Sequence, residues 1–506
     1  MKRIKLLYIG ALLVASSCSK SFIDVNENPN KPGTSRSDWQ FTGAVNTTMS
    51  GTTGPDAIGG AWVGYFGFST SFTGGAQQKT YIFSNSDFNY WDGIYDNLFD
   101  YQYVVDNGQE EGYGWLVGPA KIMQAFLFQR LVDMYGNIPY SQWGTFEHIT
   151  PDYDDGQSVY ENLIVKLDEA IAEIKAATWP SNAPADIVFK GNKTRWIQLA
   201  NTLKLRILIR QSRMAGRDGY ITTEINKILA EGTGFLSVNA LVNPGYAKQP
   251  GKLNFFYGSF GYNENDVEVT NHRFYKMGEF LIDNLKATED SFRLQRKADP
   301  KVAGDKNNFD DYVGVPLGAT GSSYLETLVS SIGAAQVVRG EATRPMVLFT
   351  AAESYFLQAE AAVRYSIAGL GSAQDLYEEG VKQSFLLDGG VGTSPSAVDP
   401  ELAIAKAEAY LANGKENVTW SASPDKLKAI WFQKWIALAL FNNFESWTEY
   451  RRTNFPDVPH SSSSGAAPKK PVRFYYPISE SNTNLENLQK QGTINVYDSR
   501  IFWDVD

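Results

Sequence analysis

The sequence predicts a mainly α-helical fold: a tetratricopeptide-like stack of helix pairs flanked by a large irregular region with few short strands. Three observations predict it. Apolar residues recur at helical spacing in two separate blocks of the chain. Within each block the helices come in pairs at loosely repeating intervals, as in helical-repeat proteins. Between the blocks lies a stretch rich in Gly, Asn and aromatic residues with no sustained period.

Taken in order, residues from Ser19 to about Gly60 are Asn-, Gly-, Thr- and Ser-rich and read as a tether followed by surface loops. A short helix is predicted from Trp91 through Ile94, Tyr95 and Leu98. A richly apolar one follows over 115–135, stopped by Gly136 and Pro139. In 157–175 the positions Tyr160, Leu163, Ile164, Leu167, Ala170, Ile171 and Ile174 fit the i, i+3, i+4, i+7 pattern, with Asp154 or Asp155 as N-cap. Residues 194–213 repeat it with Trp196, Leu199, Ala200, Leu203 and Ile207, opened by Thr194. The middle, 233–340, is loop-rich with one amphipathic stretch near 275–287. Helices resume at 345–366, 372–386, 399–412 and 424–442, and the last fifty residues hold one short strand at Val472–Tyr476. The expected organisation is a leader over 1–17 and one domain over 18–506. Its helical parts span about 91–230 and 343–452, and its loop-rich, ligand-binding insertions about 40–90 and 233–342.

Composition narrows the function. The 506 residues carry 46 Lys+Arg against 56 Asp+Glu, a net charge of −10, which argues against nucleic acid because phosphate binding needs a basic surface. A single cysteine excludes an intramolecular disulfide and any cysteine-built metal cluster. That cysteine, Cys18, follows a basic start (Lys2, Arg3, Lys5), an apolar run from Leu6 to Ala15 and the small residues Ser16 and Ser17. The run is too short to span a bilayer and has signal-peptide flanks. With its cysteine at the junction it resembles a bacterial lipobox, which implies a lipid attached at Cys18; an ordinary secretory signal is the alternative. Removing 1–17 leaves 43 basic against 56 acidic residues, a net −13. Stable anchoring takes two or more acyl chains.

Catalytic motifs are missing: there is no HExxH, GxSxG, Walker A or GxGxxG after a strand. His148, His272 and His460 stand apart from one another and read as loop residues. Asp152, Asp154 and Asp155 before Gly156 lack the full calcium-loop spacing and read as helix capping, and the cluster Asp305, Asn307, Asn308, Asp310 and Asp311 lacks the loop glycine. No metal site is assigned. A glycosidase needs only two suitably spaced carboxylates, and nothing singles out a pair.

Aromatic clustering in irregular segments is the clearer signal. One cluster runs from Trp62 to Trp91, mixed with Gly, Ser, Asn and Gln, and a second from Phe255 to Tyr275, among Asn263, Asn265, Asn271, His272 and Arg273. A neutral sugar offers an apolar face that a flat ring can cover and a rim of hydroxyls that amides and Arg can satisfy. By analogy with aromatic pairs, each stack adds about 0.5–1.5 kcal/mol beyond area burial, so several are needed. Most of these rings are expected to pack loops onto helices. The candidate ligand contacts are Trp62, Tyr65, Phe68, Tyr81 and Asn85 from the first cluster and Tyr257, Tyr262, Asn263 and Arg273 from the second.

An ordered set of landmarks adds a resemblance. CSKSFIDVNENPNKP follows the leader. LVDMYGNIPYSQ (Leu131–Gln142) is followed by PDYDDGQSVYENLIVKLDEAI, then ESYFLQAEAAVRY (Glu353–Tyr365), DLYEEGVKQS (Asp375–Ser384), QKWIAL (Gln433–Leu438), ESWTEYRRTNFP (Glu445–Pro456) and VRFYYPISESNTN (Val472–Asn484). In this order the chain resembles the SusD/RagB family of outer-membrane nutrient-binding lipoproteins, its SusD-like subgroup in particular. Read physically, Trp435, Trp447 and Tyr450 fit an apolar helix face, and Arg451 and Arg452 sit where cations complement a helix C-terminus. These residues are expected to be structural. The resemblance implies a SusD-like α–α superhelix that captures oligosaccharide or polysaccharide without turning it over. It also implies delivery to a SusC-type TonB-dependent outer-membrane transporter, lipid anchoring at the cell surface of a Gram-negative bacterium, and no cofactor, although some members bind calcium. Peptide capture, as in RagB-like members, is the nearest alternative; a surface glycoside hydrolase and a helical scaffold without a small ligand are the others.

Overall fold

The computed structural model describes residues 35–145, 147–390 and 394–505. Cys18 and the expected leader lie outside them. From Ser37 the chain enters a 26-residue helix, α1 (Ser37–Trp62), in the stretch expected to be irregular, and the loop-rich reading of 40–62 is corrected accordingly. Its buried face (Phe41, Ala44, Val45, Thr48, Met49, Thr52, Ile58) does keep helical spacing, but Thr, Ala and Gly dilute the apolar signal. The packing demands those small residues. A Cβ on Gly59 would lie 2.7 Å from the Asn443 carbonyl oxygen, and one on Gly60 2.6 Å from the Phe66 ring. Close tertiary contact overrides a weak local propensity for helix.

The first helical block holds α2 (Trp91–Asn107), α3 (Val117–Tyr135), α4 (Gly156–Ala176), α5 (Lys193–Arg210) and α6 (Asp218–Glu231). Consecutive members pack on one another. Gly136 ends α3 at φ +82°, and Asp155 caps α4 by accepting from the Gln157 and Ser158 amides. Asp154 instead accepts from the Tyr140 and Ser141 amides (2.9 and 2.8 Å), tying the turn after Gly136 to the start of α4. Asn192, rather than Thr194, caps α5. Then come α7 (Glu279–Ala287) and α8 (Ser291–Lys297), followed by the second block: α9 (Ala351–Tyr365), α10 (Ala373–Gly389), α11 (Pro400–Leu411), α12 (Lys426–Leu438) and α13 (Asn443–Thr453).

Strands are few. Three antiparallel pairs form from β1 (Phe66–Phe68), β2 (Ala240–Val242), β3 (Tyr275–Met277), β4 (Ala298–Asp299), β5 (Ser331–Ile332) and β6 (Met346–Phe349), joined as β1–β3, β2–β6 and β4–β5. β6 takes up residues expected to begin a helix at 345, and Thr350 then caps α9 through the Glu353 amide (3.0 Å). The strand expected at Val472–Tyr476 does not form. Its amides find single carbonyls on separate segments instead, Val472 on Val496 (2.8 Å) and Phe474 on Met134 (2.9 Å), so no ladder can propagate.

The two blocks meet where α5 contacts α9, and the contact is ionic. Arg206 donates two hydrogen bonds to Glu353 (2.7 and 2.8 Å). Arg210 bonds Glu445 and Glu449, Lys434 lies 3.0 Å from Glu449, and Arg452 bonds both Glu360 (2.7 and 2.8 Å) and Glu449. All of these side chains are buried or nearly so, and their charges balance across α5, α9, α12 and α13. Arg451 stacks 3.7 Å from the Trp447 ring centroid and donates to the Asp133 and Val472 carbonyls. The Glu, Trp and Arg positions of the family-like segments are thus spent on the fold.

Asp56 on α1 shows the cost of burying a charge without a full partner. Its carboxylate accepts from the Phe444 amide at the start of α13 (2.9 Å), yet burial pushes its pKa up to about 6, above the ordinary aspartate value near 3.8. A carboxyl raised in the folded state favours folding while it is protonated. That advantage is complete below about pH 4 and is lost as pH rises through about 6, a swing of at most about 3 kcal/mol. Asp56→Asn, which keeps the acceptor oxygen, is expected to flatten this part of the profile. Urea denaturation at a series of pH values, wild type against variant, measures the difference.

Candidate ligand-binding surface

The β1–β3 pairing joins the two aromatic clusters that the sequence singles out. Its register sets Phe66 opposite Met277, Gly67 opposite Lys276 and Phe68 opposite Tyr275. Gly67 permits the close fit, since a Cβ there would stand 2.3 Å from the Val315 carbonyl oxygen. Beyond the pair, the Ser69 amide donates to the Phe274 carbonyl (2.8 Å), the Thr70 amide to Tyr324 (2.9 Å), and the Glu326 amide to the Ser71 hydroxyl (3.0 Å). Residues 68–79, 273–275 and 324–326 thereby form one ledge.

On this ledge Phe68 and Phe274 stack at 4.8 Å, with Phe72 set edge-on to Phe274 at 6.4 Å. Lys79 lies 5.2 and 5.5 Å from the Phe68 and Phe274 centroids, and partial burial lowers its pKa. The Arg273 guanidinium sits 5.1 Å from the Phe72 ring and forms a two-pronged pair with Glu326 (2.8 and 2.7 Å). That bond raises the Arg273 pKa and lowers that of Glu326. Tyr324 is half-buried beside them, and the buried Thr70 hydroxyl has no hydrogen-bond partner. The ledge therefore offers a ring edge, two cations and one carboxylate. That set suits a polyhydroxylated ligand with apolar faces.

The candidate residues divide sharply. Trp62 is 1 % exposed, wedged among Tyr81, Phe83, Trp447 and Phe474, with its Nε1 donating to the Gln78 carbonyl (3.2 Å). Tyr65 is fully buried with its hydroxyl on the Trp435 carbonyl and Ser446, and burial raises its pKa well above the usual range. Tyr81 is fully buried and its hydroxyl accepts from the Ser461 amide (3.0 Å). Phe68 and Tyr257 are each 1 % exposed, the Tyr257 hydroxyl accepting from the Gly340 amide (3.1 Å). For these five the reading as ligand contacts is corrected: they are core, because other rings and backbone groups already occupy their faces and polar tips. Phe68 supports the ledge from beneath.

The remaining four lie nearer solvent. Arg273 is exposed on the ledge. Tyr262 is half-buried, its ring 5.2 Å from His272 and 5.9 Å from the Arg339 guanidinium. His272 belongs to the short helix Thr270–Phe274 rather than a loop; its Nδ1 is 2.9 Å from the Phe260 carbonyl, and burial lowers its pKa. The Asn263 side chain accepts from the Asn265 and Val267 amides (2.9 and 3.0 Å), shaping its own loop. Asn85 is half-buried, and its carbonyl accepts from the Ile478 amide (3.0 Å). Lys79, Tyr324 and Glu326 were not anticipated. Lys79 sits within the first cluster, but nothing local marks Tyr324 and Glu326, which reach the ledge only through tertiary pairing.

A second concave surface, a groove of about 480 Å³ between α2, α3 and α4, holds Phe128, Tyr140 and Trp143. Its polar groups are largely engaged with one another: Gln124 donates to Gln102 (2.9 Å) and the Tyr140 hydroxyl to Asn162 (2.6 Å). Among the described residues no group of three or more His, Cys, Asp or Glu could hold a metal ion, and no helix is long and apolar enough to cross a membrane.

The profile of a SusD-like family, described as starch-binding and associating with the outer membrane, matches residues 33–477. The chain belongs to this family. Solved structures agree on the SusD-like fold. A SusD homolog from Bacteroides fragilis superposes with a TM-score of 0.75 at 22% identity, over 93% of this chain and 99% of that one. A chitin-binding SusD homolog from Flavobacterium johnsoniae gives 0.71 at 24% identity, over 92% and 99%. A SusD/RagB family protein from Bacteroides thetaiotaomicron gives 0.73 at 21% identity, over 93% and 99%. No curated protein matches the sequence.

Proposed function

We propose that this SusD-like chain is a lipid-anchored glycan-binding protein of the outer-membrane surface. On this reading it captures oligosaccharide on the ledge around Phe72, Arg273 and Phe274 and passes it to a SusC-type TonB-dependent transporter without catalysing a reaction. The observation that carries the reading is the meeting of one part of each aromatic cluster, Phe68 and Phe72 with Phe274, beside the cations Lys79 and Arg273 on one surface through β1–β3. The family description and the chitin-binding relative support a glycan as the ligand class. Cys18 after its apolar leader supports the anchor, and tethering would raise the effective concentration at the transporter.

Calorimetry with malto-oligosaccharides, chito-oligosaccharides and peptide digests tests the ligand class. Phe72→Ala combined with Arg273→Ala is expected to weaken glycan binding about tenfold, since each ring contact is worth about 0.5–1.5 kcal/mol. Trp143→Ala in the groove is expected to leave binding unchanged. The opposite pattern would move the site to the groove. Heat from peptides alone would replace the glycan, and release of shorter sugars would show turnover.

A further inference from the structure

In a chain with 46 Lys+Arg against 56 Asp+Glu, counter-charges for a cation are plentiful, yet Lys79 on the ledge has none. Among the described residues it is the one buried or half-buried lysine whose ammonium has neither a paired carboxylate nor a hydrogen-bond acceptor. Lys204, Lys297 and Lys434 meet carboxylates, and Lys276, Lys286 and Lys470 meet a hydroxyl or a carbonyl. The contacts of Lys79 are the rings of Phe68 and Phe274, which support its stem and leave the charge uncompensated. The residue is half-buried, and its ammonium is not sealed from solvent.

The backbone holds this charge in place. The turn at Gly74 and Gly75, with φ +144° and +64°, brings the short helix Ala76–Thr80 back against Phe274, and a Cβ on Gly75 would stand 3.2 Å from that ring. On either side of Lys79 the carbonyls are tied to the core: Gln78 accepts from the Trp62 indole (3.2 Å) and Thr80 from the Ala467 amide (2.8 Å). The carboxylates of the flanking segments are committed elsewhere. Asp87 accepts from the Ser84 amide and hydroxyl (2.9 and 2.8 Å), and Glu326 is held by Arg273. A partly desolvated ammonium, fixed beside an open ring edge and left without a counter-charge, fits an anion that the ligand brings.

We propose that the ledge selects an acidic glycan, in which a sugar unit bearing one carboxylate or sulfate group pairs with Lys79. Phe72 carries an apolar sugar face, and Arg273 Nη1, the nitrogen that Glu326 does not use, donates to a hydroxyl. This inference rests on the glycan reading and names the charge class of its ligand. A uronic acid and a sulfate ester supply the same single negative charge, and a lysine, acting as a point charge, accepts either.

Calorimetry of the full chain with matched pairs provides the test: oligogalacturonate against its methyl ester, and a sulfated galactan oligosaccharide against its desulfated form. In at least one pair the acidic member is expected to bind about tenfold more tightly or better, and the pair that shows it identifies the group. Lys79→Met keeps an apolar stem on the rings. It is expected to abolish that preference and to leave the thermal midpoint unchanged or raised, because no ion pair is lost. Equal binding within both pairs, no binding of either acidic member, a preference that survives Lys79→Met, or a lowered midpoint would overturn the proposal. The glycan reading fails separately. Neutral malto- or chito-oligosaccharides that bind and are weakened by Phe72→Ala/Arg273→Ala would keep that reading while equal binding within the pairs sinks this one, whereas heat from peptides alone would remove both.

Discussion

Replacing Arg452 with methionine is expected to cost about 3–5 kcal/mol of folding stability, enough to unfold much of the protein at physiological temperature. Arg452 is 1 % exposed and donates to Glu360, Glu449 and the Ser212 hydroxyl, so it ties α13 to α9 and to the turn after α5. Burial by itself would lower its pKa, but the Glu360 and Glu449 carboxylates more than offset this and raise it. Methionine preserves volume and removes the charge. Glu360 then keeps Arg364 (2.8 Å) and the Trp431 indole (2.9 Å), and Glu449 keeps Lys434 and Arg210, but two dry carboxylates share fewer cations. Equilibrium urea denaturation gives the loss. Because removing one partner strands the other, Arg452→Met with Glu360→Gln is expected to be less damaging than the sum of the two single changes. A loss under about 1 kcal/mol for Arg452→Met would mean that water reaches the ionic contact between α5, α9, α12 and α13.

Trp62→Ala is expected to cost about 3–5 kcal/mol through the cavity it leaves, while any folded fraction binds glycan normally. The indole lies 5.1 Å from Trp447, 5.9 Å from Phe474 and 6.0 Å from Phe83, so its removal opens the contact between the end of α1, α13 and the segment around Phe474. Loss of near-ultraviolet circular dichroism should accompany the drop in stability. Weakened ligand affinity with unchanged stability would instead place Trp62 on the ligand surface. The Phe72→Ala/Arg273→Ala pair is expected to behave in the reverse way, since Phe72 is only half-buried and Arg273 is exposed.

The contrast between α4 and α1 shows what can be read from local pattern. α4 presents Leu163, Ile164, Leu167, Ala170, Ile171 and Ile174 at helical spacing because its buried face packs against larger neighbours, and its limits were legible to within a residue. α1 buries Thr48 against Tyr101 and Asn97 of α2 and brings Gly59 and Gly60 within touching distance of Asn443 in α13, and those small residues locally resemble a loop. The aromatic clusters were legible as clusters. Which rings stay open was not, because exposure depends on segments hundreds of residues away: Tyr65 is closed off by Trp435 and Ser446, and Tyr81 by Ser461.

The amino-acid order by itself determined the two helical blocks, the stop at Gly136 and a cap at Asp154 or Asp155, the family landmarks and the two stretches from which the proposed ligand surface is built. These follow from spacing, dihedral preference and composition, all local properties of the chain. Only the tertiary structure decided that Trp62, Tyr65, Tyr81 and Tyr257 are core and that Glu326 joins Arg273. Burial and charge pairing are sums over neighbours from the whole chain, and no local window contains those neighbours.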